Sequence, residues 1–159
     1  MTETPAFLAE RLRAEGEKTV SFFKSLSADQ WEQTVYTDGS IWTVRNILAH
    51  YMTAEKGFLG LFSDILNGGP GVKQDFDIDR FNASQQEKVK NISNGQLIEK
   101  FIEVRAEMVV LVSRLSDSDL QKKGRHPFLE ETNLAEMIKM VYRHNQIHYR
   151  DIRKLTAET

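Results

Sequence analysis

Asn133-Leu134-Ala135-Glu136-Met137-Ile138-Lys139-Met140-Val141-Tyr142-Arg143-His144-Asn145-Gln146-Ile147-His148 reads as one amphipathic helix. Asn133, with Glu136 three residues on, begins it in the manner of a capping box. Met137, Val141, His144, His148 and, further on, Leu155 follow 4-3-4-7 spacing, the core-facing pattern of a bundle helix. Two residues four apart lie about 40° apart around a helix and about 6 Å apart along it. His144 and His148 therefore point the same way, inward, beside methionine, valine and leucine. An imidazole in such surroundings requires a hydrogen-bond partner or a metal.

A third histidine lies upstream, in Trp42-Thr43-Val44-Arg45-Asn46-Ile47-Leu48-Ala49-His50. Ile47, His50, Ala54 and Leu61 share one helical stripe, so His50 also reads as inward. Three inward histidines on two helices make a three-ligand site with open positions, the layout of a catalytic rather than a structural metal. Core histidines satisfied by ordinary hydrogen bonds are the competing reading.

This order, one histidine after a Trp-Thr-Val start and a His-x3-His pair in the last helix, is similar to the DinB/YfiT-like metal-binding bundles. The resemblance covers essentially the whole chain. It implies an all-α fold, a four-helix bundle with an additional short helix. It also implies a divalent metal, zinc or nickel, held by His50, His144 and His148. Relatives of this kind include metal-dependent thiol S-transferases and a thiol-dependent isomerase. The implied activity is therefore deprotonation of a low-molecular-weight thiol for attack on an electrophilic small-molecule substrate. Metal-bound water attacking an ester or amide is the alternative. A non-catalytic metal- or ligand-binding stress protein is the third. A homodimer is expected by family analogy alone.

Working outward from the last helix, the rest of the chain fits a bundle. The 159 residues suffice for one domain with a sizeable core. Thr4 caps a first helix with Pro5 at its first position, and Leu8, Leu12, Val20, Phe23 and Leu26 give it an apolar face. Gly16 interrupts that helix, which points to a close crossing. Ser27 caps a short turn at residues 28–31, and Asp38-Gly39 marks another turn. The second long helix runs from Thr43, its cap, to about Leu66, where Gly68-Gly69-Pro70-Gly71 stops it. A polar helix opens at Asp79-Arg80-Phe81-Asn82 and ends near Asn91, flanking the core. Leu97, Phe101, Val104, Met108, Leu111 and Leu115 repeat at 4-3-4-3-4 spacing, the most regular core stripe of all. Residues 117–132 read as an irregular connection.

Around the histidines, Ala54 and Gly57 either admit a neighbouring helix or leave a ligand cavity. Asp151, on the stripe of His144 and His148, either accepts an N–H from a ligand imidazole or forms a surface salt bridge. Phe81-Asn82 resembles the mycothiol-dependent and DinB-2-like branches of the family, which makes Asn82 either a candidate polar group at the pocket or simply a helix-start residue. Glu55, about 140° around the helix from His50, falls outside the ligand set. Glu15 reads as a solvated boundary residue and His126 as an ordinary loop residue. In the zinc-protease helix a glutamate follows the first histidine as base; here that position is Asn145, which takes no proton, so such a peptidase is not expected.

Composition closes off other classes. A net charge of −2 leaves no footprint for nucleic acid. The absence of cysteine excludes disulfides and a thiolate nucleophile. No apolar run reaches the ~20 residues that cross a bilayer. The start, Met1-Thr2-Glu3-Thr4-Pro5, lacks the blocks of a signal peptide, so a cytoplasmic protein is expected.

Overall fold

The computed structural model describes residues 3–157, so Met1 and Thr2, part of the start used for the targeting expectation, lie outside it. Four long helices form the bundle: α1 (Pro5–Lys24), α3 (Val44–Leu66), α5 (Asn94–Ser113) and α6 (Leu134–Ala157). A short helix α2 (Ala28–Trp31) follows α1, and α4 (Ile78–Val89) lies against α3. The caps of α1, α2, α3, α5 and α6 are those the sequence announces, whereas α4 begins one residue before Asp79 and is capped by Asp77, which accepts from Arg80 N. Thr4 Oγ1 accepts from Phe7 N, and Ser27, Thr43 and Ser93 each close a full capping box. Asn133 Oδ1 accepts from Glu136 N at 3.0 Å to begin α6.

The long helices pack in a ring. α1 lies on α5, α5 on α3, α3 on α6, and α6 back on α1. Helices consecutive in the chain are thus not always neighbours: α1 and α3 sit across the diagonal, as do α5 and α6. Arg45, at the start of α3, donates to the carbonyls of Val89 and Ile92. That bond shows that α4 carries the chain back along α3, so α5 begins beside the start of α3.

The two diagonal crossings need longer connections, and both contain β structure. β1 (Thr34–Tyr36) pairs antiparallel with β2 (Trp42–Thr43) between α1 and α3. β3 (Lys123–His126) pairs with β4 (Glu130–Asn133) between α5 and α6, after a 3₁₀ turn at Asp119–Gln121. Residues 117–132, expected to be irregular, are therefore mostly a hairpin. Its turn depends on features with no periodicity: Glu130 takes φ 61°, and His126 Nδ1 accepts from the N–H groups of Phe128 and Leu129. A bridge from Gly71 to Arg125 ties the hairpin to the loop after α3.

One core cluster gathers Leu8, Leu12, Phe62, Met108, Met137 and Val141; another gathers Phe23, Ile47, Leu48, Leu97, Phe101 and Ile152. Glu55 and Arg105 meet deep in the bundle as a two-pronged ion pair, both contacts 2.8 Å, and Arg105 also donates to Leu12 O. Gly16 is explained by this pair, since a Cβ there would stand 2.8 Å from Arg105 Cγ. The close crossing expected at Gly16 is thus made by a side chain rather than a helix backbone. Among the described residues, no helix is long and apolar enough to cross a membrane.

Candidate metal centre

α3 and α6 face each other so that His50 meets His144 and His148. His50 Nε2 lies 3.1 Å from His144 Nε2, which lies 3.0 Å from His148 Nε2. The three nitrogens form a group able to hold one metal ion. Tyr51, one residue after His50, fixes the two helices together by donating to Asn145 O at 2.6 Å.

Burial drives all three rings toward the neutral form that a metal requires. It takes His50 down to about 2 and His144 to about 3, with the neighbouring imidazoles adding to the effect. His148 is also lowered by burial, against an opposing pull from Asp151.

Asp151 does not touch a ligand imidazole directly. Its Oδ2 accepts the Tyr36 hydroxyl proton, and Tyr36 Oη lies 2.7 Å from His148 Nδ1. A hydroxyl has one proton, and the carboxylate is the stronger acceptor. Tyr36 Oη is therefore an acceptor toward His148 Nδ1–H, which leaves His148 Nε2 a bare lone pair facing the other histidines. The other oxygen, Oδ1, is 4.0 Å from Lys154 Nζ, so Asp151 also keeps the surface ion pair expected as its alternative. Tyr36 itself left no trace in the sequence that links it to a partner 112 residues away.

The donor set passes a simple test of fit. His144 Nε2 is shared by both short contacts, and His148 Nε2 brings no proton. A single proton on His144 Nε2 serves one contact and leaves the other unsatisfied. A cation at the centre removes that conflict. Two imidazole nitrogens at about 2.0–2.1 Å from a tetrahedral zinc are about 3.3 Å apart, close to the spacing found.

The histidines form one end of a cavity of about 550 Å³. Ala54, Gly57 and Asn82 all line it, with Trp42, Phe58 and Phe128. A Cβ on Gly57 would sit 3.5 Å from Phe81 Cζ, an ordinary contact, so the glycine keeps space rather than enabling a close approach. Arg80, beside Phe81, is exposed and does not line the cavity. Among the described lining residues there is no Ser, Thr, Tyr, Lys, Arg, Asp or Glu.

His126 is not an ordinary loop residue. It is buried, its ring stacks on Phe58 with centroids 5.3 Å apart, and Phe128 packs edge-on at 4.4 Å. Its Nδ1 holds the hairpin turn, while its buried Nε2 has no partner. The only sequence hint was a histidine before a proline, with N–H groups two and three residues on. Glu15 is half-buried, and hydrogen bonds from Gln146 and Lys18 overcome its desolvation to lower its pKa. It lines a separate small cleft.

A family model described as the DinB superfamily matches residues 11–152. Among solved structures, YfiT from Bacillus subtilis, described as a probable metal-dependent hydrolase with an unusual four-helix bundle topology, is 18% identical. That alignment covers 97% of this chain and 85% of that one, with a TM-score of 0.73. The colibactin self-resistance protein ClbS, solved in complex with double-stranded DNA, is 14% identical over 95% of this chain and 96% of its own (TM-score 0.73). DfsB, a sibling lethal factor precursor, is 16% identical over 99% and 98% (TM-score 0.76). No curated protein matches the chain significantly.

Proposed function

The chain belongs to the DinB superfamily, and from that premise we propose a divalent-metal-dependent enzyme whose nucleophile is supplied from outside the polypeptide. The observation that carries this reading is the composition of the cavity wall beside the three histidines. Among the described residues it presents no hydroxyl, amine or carboxylate, and the chain has no cysteine. Apart from the three histidines, no described side chain there can attack a substrate or form a covalent intermediate.

His50, His144 and His148 would hold the ion, with zinc or nickel suited to three imidazoles. A bound divalent ion supplies Lewis acidity and lowers the pKa of a coordinated nucleophile. The protein residues do the rest. Tyr36 and Asp151 hold His148 in the tautomer that presents Nε2. The aromatic walls give the body of the substrate an apolar surface to pack against. Asn82 gives an otherwise apolar wall one amide that can orient a carbonyl.

Hydrolysis of an ester or amide fits best: the water oxygen bonds to the acyl carbon, the C–O or C–N bond breaks, and the leaving group takes the proton. The description of YfiT as a probable metal-dependent hydrolase supports the same reading. Transfer of a low-molecular-weight thiol to an electrophile is the second reading. It is favoured by the size of the cavity, which has room for a thiol beside its electrophile. The deciding experiment measures ester cleavage by zinc-loaded protein with and without added thiol. Turnover with metal alone establishes the hydrolase; turnover only when metal and thiol are both present establishes the transferase. Absence of both, with full metal loading, overturns the enzyme reading.

A further inference from the structure

The cavity wall also specifies what kind of molecule it accepts. Its five aromatic rings, Trp42, Phe58, Phe76, Phe81 and Phe128, surround the approach to the histidines. Three large apolar side chains stand unusually exposed at its edge: Phe76 at 39%, Phe128 at 43% and Ile147 at 47%. Exposed apolar groups gathered around a concavity mark a surface that gains by being covered.

Charge is constrained from both directions. Aromatic faces attract cations in other settings, but a divalent ion at the histidines repels a second cation across a low-dielectric space. Among the described residues no lysine or arginine lines the wall to receive an anionic group, and burying a carboxylate without a partner is costly. Away from the histidines, the polar side-chain groups among the described lining residues are the Asn82 amide and the Trp42 indole N–H, both neutral.

We infer that the substrate is an uncharged aromatic or alkyl molecule with one metal-directed polar group at one end, and that the site rejects ligands carrying a second, anionic group. This rests on the proposed metal-dependent reading for the polar end alone; the apolar body is specified by the wall itself. Peptide-like thiols with free carboxylates are thereby poor ligands, and an acyl or aryl ester or amide is the class that fits.

The test uses tryptophan fluorescence, since Trp42 lines the cavity with its ring 5.0 Å from that of His50. Naphthalene is titrated into metal-free protein, and 2-naphthohydroxamic acid and its 6-carboxy derivative into zinc-loaded protein, with metal content measured in parallel. Naphthalene should quench the metal-free protein. The carboxy derivative should bind at least tenfold more weakly than its parent. Ala54→Leu should weaken naphthalene binding, and so should the milder Gly57→Ala, whose new methyl meets Phe81 at an ordinary distance. Phe76→Lys should recover affinity for the carboxy derivative. Equal affinity for the two hydroxamates, or no binding of naphthalene, overturns the inference. Protein that binds naphthalene but takes up no zinc defeats the metal reading and leaves the description of the cavity standing.

Discussion

Tyr36 and His148 meet at 2.7 Å, and the same tyrosine hydroxyl donates to Asp151. A short ribbon strand is thereby linked to the last turns of the final helix. Groups behind a ligand imidazole set its tautomer and its angle, and their loss typically weakens metal binding by about 10–100-fold. Tyr36→Phe should therefore lower zinc affinity within that range in chelator competition. The helix content should not change. Unaltered affinity would show that His148 is oriented by packing alone.

Each histidine should be indispensable to stoichiometric binding, because two imidazoles rarely hold a divalent ion unaided. His50→Ala, His144→Ala and His148→Ala should each reduce bound metal from about one equivalent to near zero after reconstitution and gel filtration. Asn145→Ala is the control on the same helix, since its side chain lines the separate cleft with Glu15 and Gln146. A histidine variant that kept full occupancy would remove that residue from the ligand set.

The buried pair of Glu55 and Arg105 invites a stability test away from the histidines. Glu55→Gln leaves an uncompensated guanidinium in the core, a change that costs about 3–5 kcal/mol when one partner of such a pair is removed. Replacing both with methionine should restore most of that loss, because a packed apolar pair avoids desolvating charge. Gly16→Ala should also destabilise, by pushing Arg105 away from Glu55 and the carbonyl of Leu12. Urea denaturation of the four proteins decides the matter.

What the sequence revealed follows the reach of local rules. Caps at Thr4, Ser27, Thr43 and Ser93 involve residues three apart, and the stripes of α5 and α6 recur every turn, so both are visible in one dimension. The convergence of His50 with His144 and His148 followed from two inward stripes and the resemblance. Tyr36 depends on a register between a ribbon and a helix, and Arg105 on how α5 packs against both α3 and α1. Neither has a periodic signature. The hairpin of β3 and β4 escaped because Lys123–His126 and Glu130–Asn133 are polar and lack apolar alternation. The cavity could be foreseen from Ala54 and Gly57 as an alternative, but its aromatic rim is assembled from separate segments.

His126, buried in the hairpin turn, gives the fold a dependence on pH. Burial pushes His126 down to about 4, against about 6.5 for an unfolded histidine. Above pH ~6.5 the residue is neutral in both states, and its contribution is fully present. Between ~6.5 and 4 the unfolded chain binds a proton that the folded protein refuses, so stability falls as pH falls. The slope approaches about 1.4 kcal/mol per pH unit, and the loss totals about 3 kcal/mol. The histidines of the candidate metal centre shift in the same direction, so metal-free wild-type protein should weaken steeply on acidification. Subtracting a variant isolates the one residue. His126→Gln should be less stable than wild type at pH ~7.5, because the hairpin turn loses the acceptor of two backbone N–H groups. Its disadvantage should then shrink as pH is lowered toward 4, since glutamine takes up no proton. Chemical denaturation in the presence of chelator across this range gives the comparison. A wild-type advantage that stayed constant with pH would mean that His126 titrates normally and is solvated in the folded protein.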